Sequence, residues 1–149
     1  SDDVFYLLGS DVSIPNQVVA VKMLVSGNKA SLDGNFSTDG IASFIMTAEN
    51  SDAVLSDAVL DSNNNIIVAG YGDISGINAP MLGRIKPDGT LDSTFNTTGF
   101  FNATSCTEAG QLTSVLLIDD VNFVVAGQCY IDDSFKNNIE LTQYQLLEP

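Results

Sequence analysis

The apolar residues of this chain come in short runs separated by clusters of Asp, Asn, Ser, Thr and Gly, and none recurs at the spacing of an amphipathic helix. The runs are strand-sized. "VLSDAVL" at 54–60, "DSNNN" at 61–65 and "IIVAG" at 66–70 predict a hairpin, because an Asn/Asp/Ser cluster between two β-prone runs marks a tight reversal. "APMLGRI" at 79–85 extends the sheet, and "KPDGT" at 86–90 turns it, Pro87 presetting φ and Gly89 permitting a positive one. "GFFNAT" at 99–104 adds a fourth strand.

That pattern is written more than once. "LDGNFSTDG" at 32–40 returns as "LDSTFNTTG" at 91–99, a spacing of 59; "NIIVAG" at 65–70 returns as "NFVVAG" at 122–127, a spacing of 57. "VFYLLG" at 4–9 precedes the middle copy by 61. A recurrence of tens of residues is the mark of a repeat architecture. The first unit then holds strands near 4–9, 18–25 and 40–46, and the third holds strands near 112–118, 121–127 and 138–147. Only the middle unit is complete; the first lacks its first strand and the third its fourth. The predicted organisation is a single repeat domain over 1–149, divided into a partial unit 1–47, a complete unit 48–105 and a partial unit 106–149. Four antiparallel strands at this period predict an all-β fold of about 2.5 propeller-type blades, each burying both faces against its neighbours.

A hairpin ending in "VAG", an extended strand, then "PDGTLDSTF" and a Gly resembles the delta-60 repeat of large bacterial exported and surface proteins. The match is fullest over 63–99, with partial matches at 22–41 and 121–127; "GNKASLDGNF" at 27–36 departs from the Pro-Asp-Gly turn. The resemblance implies a propeller-like repeat of undefined biochemical role. Its residues are turn and packing residues: Asp33 and Asp92 to bond the loop amides that follow them, Phe36 and Phe95 to plug between sheets, Gly40 and Gly99 to relieve a bend. Ala69-Gly70 and Ala126-Gly127 are small, as a crowded part of a blade requires. Two and a half blades cannot close a ring, so the expected partners are a second copy or neighbouring repeats, two three-unit chains giving six blades.

Charge narrows the partners. Nineteen acidic residues against five basic ones leave a net charge of −14. Such a field repels phosphate backbones and anionic lipid surfaces, which argues against nucleic acid. The apolar runs fall far short of the roughly 20 residues that cross a bilayer, so membrane insertion is not expected. The 44% apolar content suffices for a core. Beginning at Ser1 fits a processed product or a trimmed chain.

Cys106 and Cys129 flank the first two strands of the third unit, so an antiparallel hairpin brings them to one end, where a disulfide is geometrically allowed. A bridge there points to a secreted, periplasmic or cell-surface protein, as do the acidic composition and the Asn/Ser/Thr-rich turns. The alternative is two ordinary buried thiols. Three glycosylation sequons, at 35–37, 96–98 and 102–104, read as turn composition, since the resemblance is bacterial.

Catalytic chemistry has few carriers. Without histidine there is no Ser-His-Asp or Cys-His centre and no HExxH zinc site. The pairs Asp119-Asp120 and Asp132-Asp133 are adjacent, which on a strand sends them to opposite faces. Asp61, Asn63 and Asn65 open like a calcium loop, but Ile66 and Gly72 stand where an EF-hand needs Gly and Glu; they remain candidates for an irregular metal site. Tyr71 and Tyr130 follow the small residues of a second strand and are candidates for a ligand platform at a common rim. No cofactor is expected. The leading expectation is a non-enzymatic binding or assembly module, with a protein or glycan as possible partner. The alternatives are an Asp-based hydrolase or lyase at a propeller axis and a glycan-binding lectin.

Overall fold

The computed structural model of the chain describes residues 3–11, 13–14, 17–45, 53–74, 76–103, 109–119, 122–131 and 136–145. Among them, eleven strands form three antiparallel sheets, and there is no helix. The first sheet holds β1 (Asp3–Asp11), β2 (Gln17–Ser26), β3 (Lys29–Leu32) and β4 (Ile41–Ile45). The second runs β5 (Ala53–Leu60), β6 (Ile66–Ile74), β7 (Ile77–Ile85) and β8 (Phe100–Asn102) in chain order. The third holds β9 (Ala109–Leu117), β10 (Asn122–Ile131) and β11 (Lys136–Gln145), with β10 in the middle.

Register lines the three sheets up. β1, β6 and β10 occupy one position in the repeat, as do β2, β7 and β11; Lys22 and Arg84 both donate a backbone N–H to the carbonyl of the loop glycine, Gly40 or Gly99. The first sheet departs from expectation in one respect. β3, which the sequence pattern did not mark, pairs with Met23–Ser26 while β4 pairs with Gln17–Val21, so both share one edge of β2. In the second sheet the same place carries a single bridge, Ile85 to Leu91. The fourth strand is correspondingly short there, three residues rather than the six of "GFFNAT".

The "DSNNN" turn forms as its chemistry dictates. Asp61 Oδ1 accepts the N–H groups of Asn63 and Asn65 at 2.9 and 2.8 Å, and Asn64 sits at φ 61°. A side-chain carboxylate that satisfies two turn amides replaces the bonds the chain forgoes at a reversal.

Burial follows the period-two alternation of a strand. On β6, Ile66 and Val68 face the first sheet, where they meet Val18, Ala20, Phe36 and Phe44; Ile67 and Ala69 face the third, where they meet Leu112, Val115, Phe123 and Val125. All of Ile66–Gly70 is therefore buried, which explains why this run shows no polar alternation. The middle sheet is covered on both faces, and each outer sheet on one.

The repeated Ala-Gly has an atomic reason. β5 and β9 each carry a bulge, with Ser56 and Thr113 unpaired in the registers to β6 and β10. The bulge brings a carbonyl over the glycine: a Cβ on Gly70 would lie 2.0 Å from the oxygen of Val54, and one on Gly127 2.2 Å from that of Gln111.

Candidate functional site

The repeated phrase builds a small ionic plug at each sheet junction. After Asp92 the chain turns sharply, with Phe95 N–H donating to the Asp92 carbonyl and Gly99 N–H to that of Phe95. Gly99 takes φ 85°, and a Cβ there would lie 2.8 Å from the Leu91 Cβ, so glycine is required on both counts. Asp92 Oδ1 accepts the N–H and hydroxyl of Thr94, and Oδ2 accepts Arg84 Nε at 2.6 Å. Arg84 also donates to Thr94 Oγ1, and its guanidinium carbon lies 5.4 Å from the Phe95 ring centre. Arg84 and Asp92 are buried, at 3% and 4% exposure.

The first unit repeats this with other side chains. Asp33 accepts the Asn35 N–H and pairs with Lys22 Nζ at 2.9 Å, beside Tyr6. Phe36 is fully buried against Tyr6, ring centres 5.9 Å apart. Two of the five scattered cations are thus repeat elements. Their spacing, 62 positions from Lys22 to Arg84, exceeds that of the phrases around them because the loops differ in length, which hid the correspondence. The Lys22 hydrogen bond, with help from the Asn35 amide, holds the Asp33 carboxyl below its ordinary value. Burial pushes Asp92 up, but the Thr94 hydrogen bonds and the Arg84 charge outweigh it and leave that carboxyl low as well.

The other candidates fall in separate places. Asp61, Asn63 and Asn65 come together, but as a turn: Asn65 Nδ2 donates to Asp61 Oδ2 at 2.8 Å, so both carboxylate oxygens accept donors of their own hairpin. Tyr71 lies opposite Val54 and Pro80, and Tyr130 opposite Ala109 in the next sheet. In the repeat frame Tyr130 corresponds to Asp73, not to Tyr71, so the two rings are not equivalent positions. Asp119 closes the β9–β10 turn by accepting the Asn122 N–H and side-chain amide. Asp120, Asp132, Asp133 and Cys106 lie outside the described residues; Cys129 is buried on β10, opposite Gly110. Among the described residues, no three of Cys, Asp and Glu gather as a metal site would require.

The described residues enclose a cavity with the size of a ligand site. It measures about 350 Å³ and lies between the second and third sheets, lined by Thr94–Thr97, Phe101, Phe123, Tyr144 and Gln145. Phe101 and Tyr144 meet at 5.7 Å, and Phe123 stacks on Tyr144 at 5.5 Å. Its signal in the sequence is that Phe123 and Tyr144 replace the paired Ile66 and Ile85 of the middle unit. At the preceding junction the same place is filled by the Lys86–Thr90 turn: Ser37 N–H donates to the Asp88 carbonyl at 2.6 Å, and Gly89 packs on Phe36. Register carries Lys86–Thr90 onto 145–149, of which 146–149 lie outside the described residues. The cavity is therefore the counterpart of a turn socket.

The outer sheets present the larger surfaces. On the first, Phe5, Leu7, Ile41 and Ile45 are 52, 58, 40 and 62% exposed, although Ile66 and Val68, the counterparts of Phe5 and Leu7, are buried. Val19, Val21 and Met23 continue this face between them, and no charged side chain interrupts it from Phe5 to Gly9. On the third sheet, Leu116 and Leu141 are 66 and 73% exposed, whereas Leu82, the counterpart of Leu141, is fully buried. Contiguous exposed apolar surface marks an interaction site.

No curated protein matches the chain significantly. A family model described as a domain of unknown function (DUF5122) beta-propeller matches residues 62–95, the stretch that runs from the "DSNNN" turn through β6 and β7 to the Asp92–Phe95 plug, so in that stretch the chain is similar to a β-propeller repeat.

Proposed function

We propose that the chain is a non-enzymatic module of delta-60 type, exported by a bacterium, whose three units act in binding or assembly through their open sheet faces. The observation that carries this reading is the exposure of Phe5 and Leu7 on one outer sheet and Leu141 on the other, at positions whose counterparts in the middle sheet are buried. Each outer sheet thus offers one half of a junction that the molecule makes twice internally. Two copies stacking these halves give six units in a ring, within the usual range of about 4–8 blades. The carboxylates support a structural rather than a catalytic use, because Asp33, Asp57, Asp61, Asp88 and Asp92 each accept hydrogen bonds from nearby turns or strands.

The mass in solution tests it. Light scattering behind size exclusion is expected to give a dimer or another closed multimer, and a monomer across the micromolar range would sink the assembly reading. Export carries its own expectation. Cys129 is buried opposite Gly110, four positions from Cys106 along the chain, so a Cys106–Cys129 bridge fits the hairpin. Unreduced protein should then resist alkylation at both cysteines, and modification of two free thiols in native-purified material would remove the argument for an oxidising compartment.

A further inference from the structure

The two sockets, one at each sheet junction, share a loop but have different walls. In the first, Phe36 is joined by Ala42, Ile66 and Ile85; in the second, Phe101, Phe123 and Tyr144 take those three places around Phe95. The rings form a connected wall, with Phe95 and Phe101 at 5.3 Å, Phe101 and Tyr144 at 5.7 Å, and Tyr144 and Phe123 at 5.5 Å. The turn that fills the first socket is not written again. Leu146-Leu147-Glu148-Pro149 stand in the sequence where Pro87-Asp88-Gly89-Thr90 stand. Gly89 takes φ 85°, and a Cβ on it would lie 2.6 Å from the Ser37 nitrogen; Thr90 donates its N–H to Asp88 Oδ1 at 2.9 Å. Glutamate does not suit the place of Gly89, and proline has no N–H to give at the place of Thr90.

The loop beside the cavity also differs. Ser37 N–H meets the Asp88 carbonyl, whereas its counterpart, Asn96 N–H, has no acceptor among the described residues. Asn96 and Thr97 both take positive φ, 51° and 62°, and Thr98 N–H donates to the Asn96 carbonyl at 2.7 Å to close a three-residue turn. Of the corresponding non-glycine residues in the first unit, only Ser37 is left-handed. A β-branched residue in that region is an outlier, and such strain gathers at ligand clamps.

We propose that this cavity binds a small neutral molecule with a flat aromatic ring and one carbonyl oxygen, an aromatic amide or lactam. The carbonyl accepts the Asn96 N–H, as the Asp88 carbonyl accepts that of Ser37, and the ring lies among Phe101, Phe123 and Tyr144. The first junction supplies the template, because there a flat peptide unit packs on Phe36, with the Cβ position of Gly89 3.3 Å from Phe36 Cδ2. Aromatic walls favour an aromatic guest through edge and offset contacts, and a volume of about 350 Å³ suits one or two rings. Among the described residues, none that lines the cavity is charged. A carboxylate is disfavoured, since the net charge is −14 and Arg84 is already paired with Asp92. The site lies at an internal junction and does not depend on the assembly reading.

The test is a titration of the isotope-labelled whole chain with benzamide, followed by amide NMR. Three related probes accompany it: α-methylstyrene, which lacks the acceptor, benzoate, which is anionic, and phenyltrimethylammonium, which is cationic. Benzamide is expected to shift the Asn96 and Thr97 signals saturably, with a dissociation constant on the order of 1 mM for so small a probe. The Asn96 N–H should move downfield as it gains an acceptor, and each of the other probes should bind at least about tenfold more weakly. Tyr144→Ile restores the residue that Ile85 supplies at the first junction, and Phe101→Ala the one that Ala42 supplies. Each should weaken benzamide roughly tenfold while leaving the spectrum of the first sheet as in the wild type. No saturable shift at Asn96, equal binding of α-methylstyrene, or unchanged affinity in a folded variant overturns the proposal. So does equal or tighter binding of benzoate, or of phenyltrimethylammonium, which would make the rings a cage for a cation. The probe series on the wild-type chain decides the matter even where a variant fails to fold.

Discussion

Gly70→Ala is expected to destabilise the protein by about 3–4 kcal/mol, a loss of roughly 10 °C in melting temperature for a chain of this length. In an ordinary strand this substitution is favourable, because alanine restricts the unfolded chain and suits extended backbone. Here the new Cβ would lie 2.0 Å from the Val54 oxygen and 3.0 Å from its carbon. Neither atom belongs to a flexible side chain, so the clash is relieved only by moving β5. That strand cannot move freely: its Leu55 N–H donates to Ser10 Oγ, and its Asp57 carboxylate accepts the Val115 N–H and the Ser114 hydroxyl of the third sheet. Gly127→Ala should cost a similar amount for the same reason, with the Gln111 carbonyl at 2.2 Å. Urea unfolding of the two variants measures this. Wild-type stability in either would show that the bulged strands do not lie over these glycines.

Asp92→Ala is expected to cost about 3–5 kcal/mol, because it leaves the Arg84 guanidinium buried without its counter-charge. Arg84 is only 3% exposed and has Thr94 as its other hydrogen-bond partner, itself held in place by Asp92. Asp33→Ala should do less harm, since the Lys22 side chain is 16% exposed and its flexible stem can carry the ammonium to water. Replacing both partners, as in an Arg84→Met, Asp92→Leu double variant, should recover much of the loss, because an apolar pair leaves no buried charge.

The pair also sets an acid limit. The Asp92, Asp33 and Asp57 carboxyls are all held below the ordinary aspartate value of 3.8, so they release protons more readily folded than unfolded. The stability they supply is therefore complete above 3.8 and is lost as the pH falls from there through their lowered values. Urea midpoints should stay level from neutral pH to about 5 and fall steeply below about 4, and Asp92→Asn should flatten that fall. Titration of the −14 net charge works the other way, relieving repulsion as acid is added, so a midpoint that rose continuously to pH 3 would show that the paired carboxylates matter little.

Repetition made the local elements legible. The "DSNNN" hairpin, the strands around "VAG" and the Phe plugs could be placed from the sequence, because turn chemistry and period-two burial act over a few residues and the last two signals are each written twice. The Lys22 and Arg84 correspondence was not legible, since it depends on register across loops of unequal length. β3 escaped for a related reason: "KASL" is four residues whose strand state comes only from pairing with Met23–Ser26. The aromatic cavity needed two neighbouring strands in known register before Phe123 and Tyr144 could be seen to share a wall.

By itself, then, the sequence determined an all-β repeat with its turns, its plug residues and its small glycines, because those features answer to local backbone sterics and to the alternation of apolar side chains. What the glycines are for and which surfaces stay open follow from the packing of sheet on sheet. Whether a carbonyl stands over Gly70 or nothing stands over Gly9, and whether Leu82 or Leu141 is buried, depends on which sheet lies next to it. Neighbouring sheets meet through contacts between residues distant in the chain, and no short stretch of sequence encodes that arrangement.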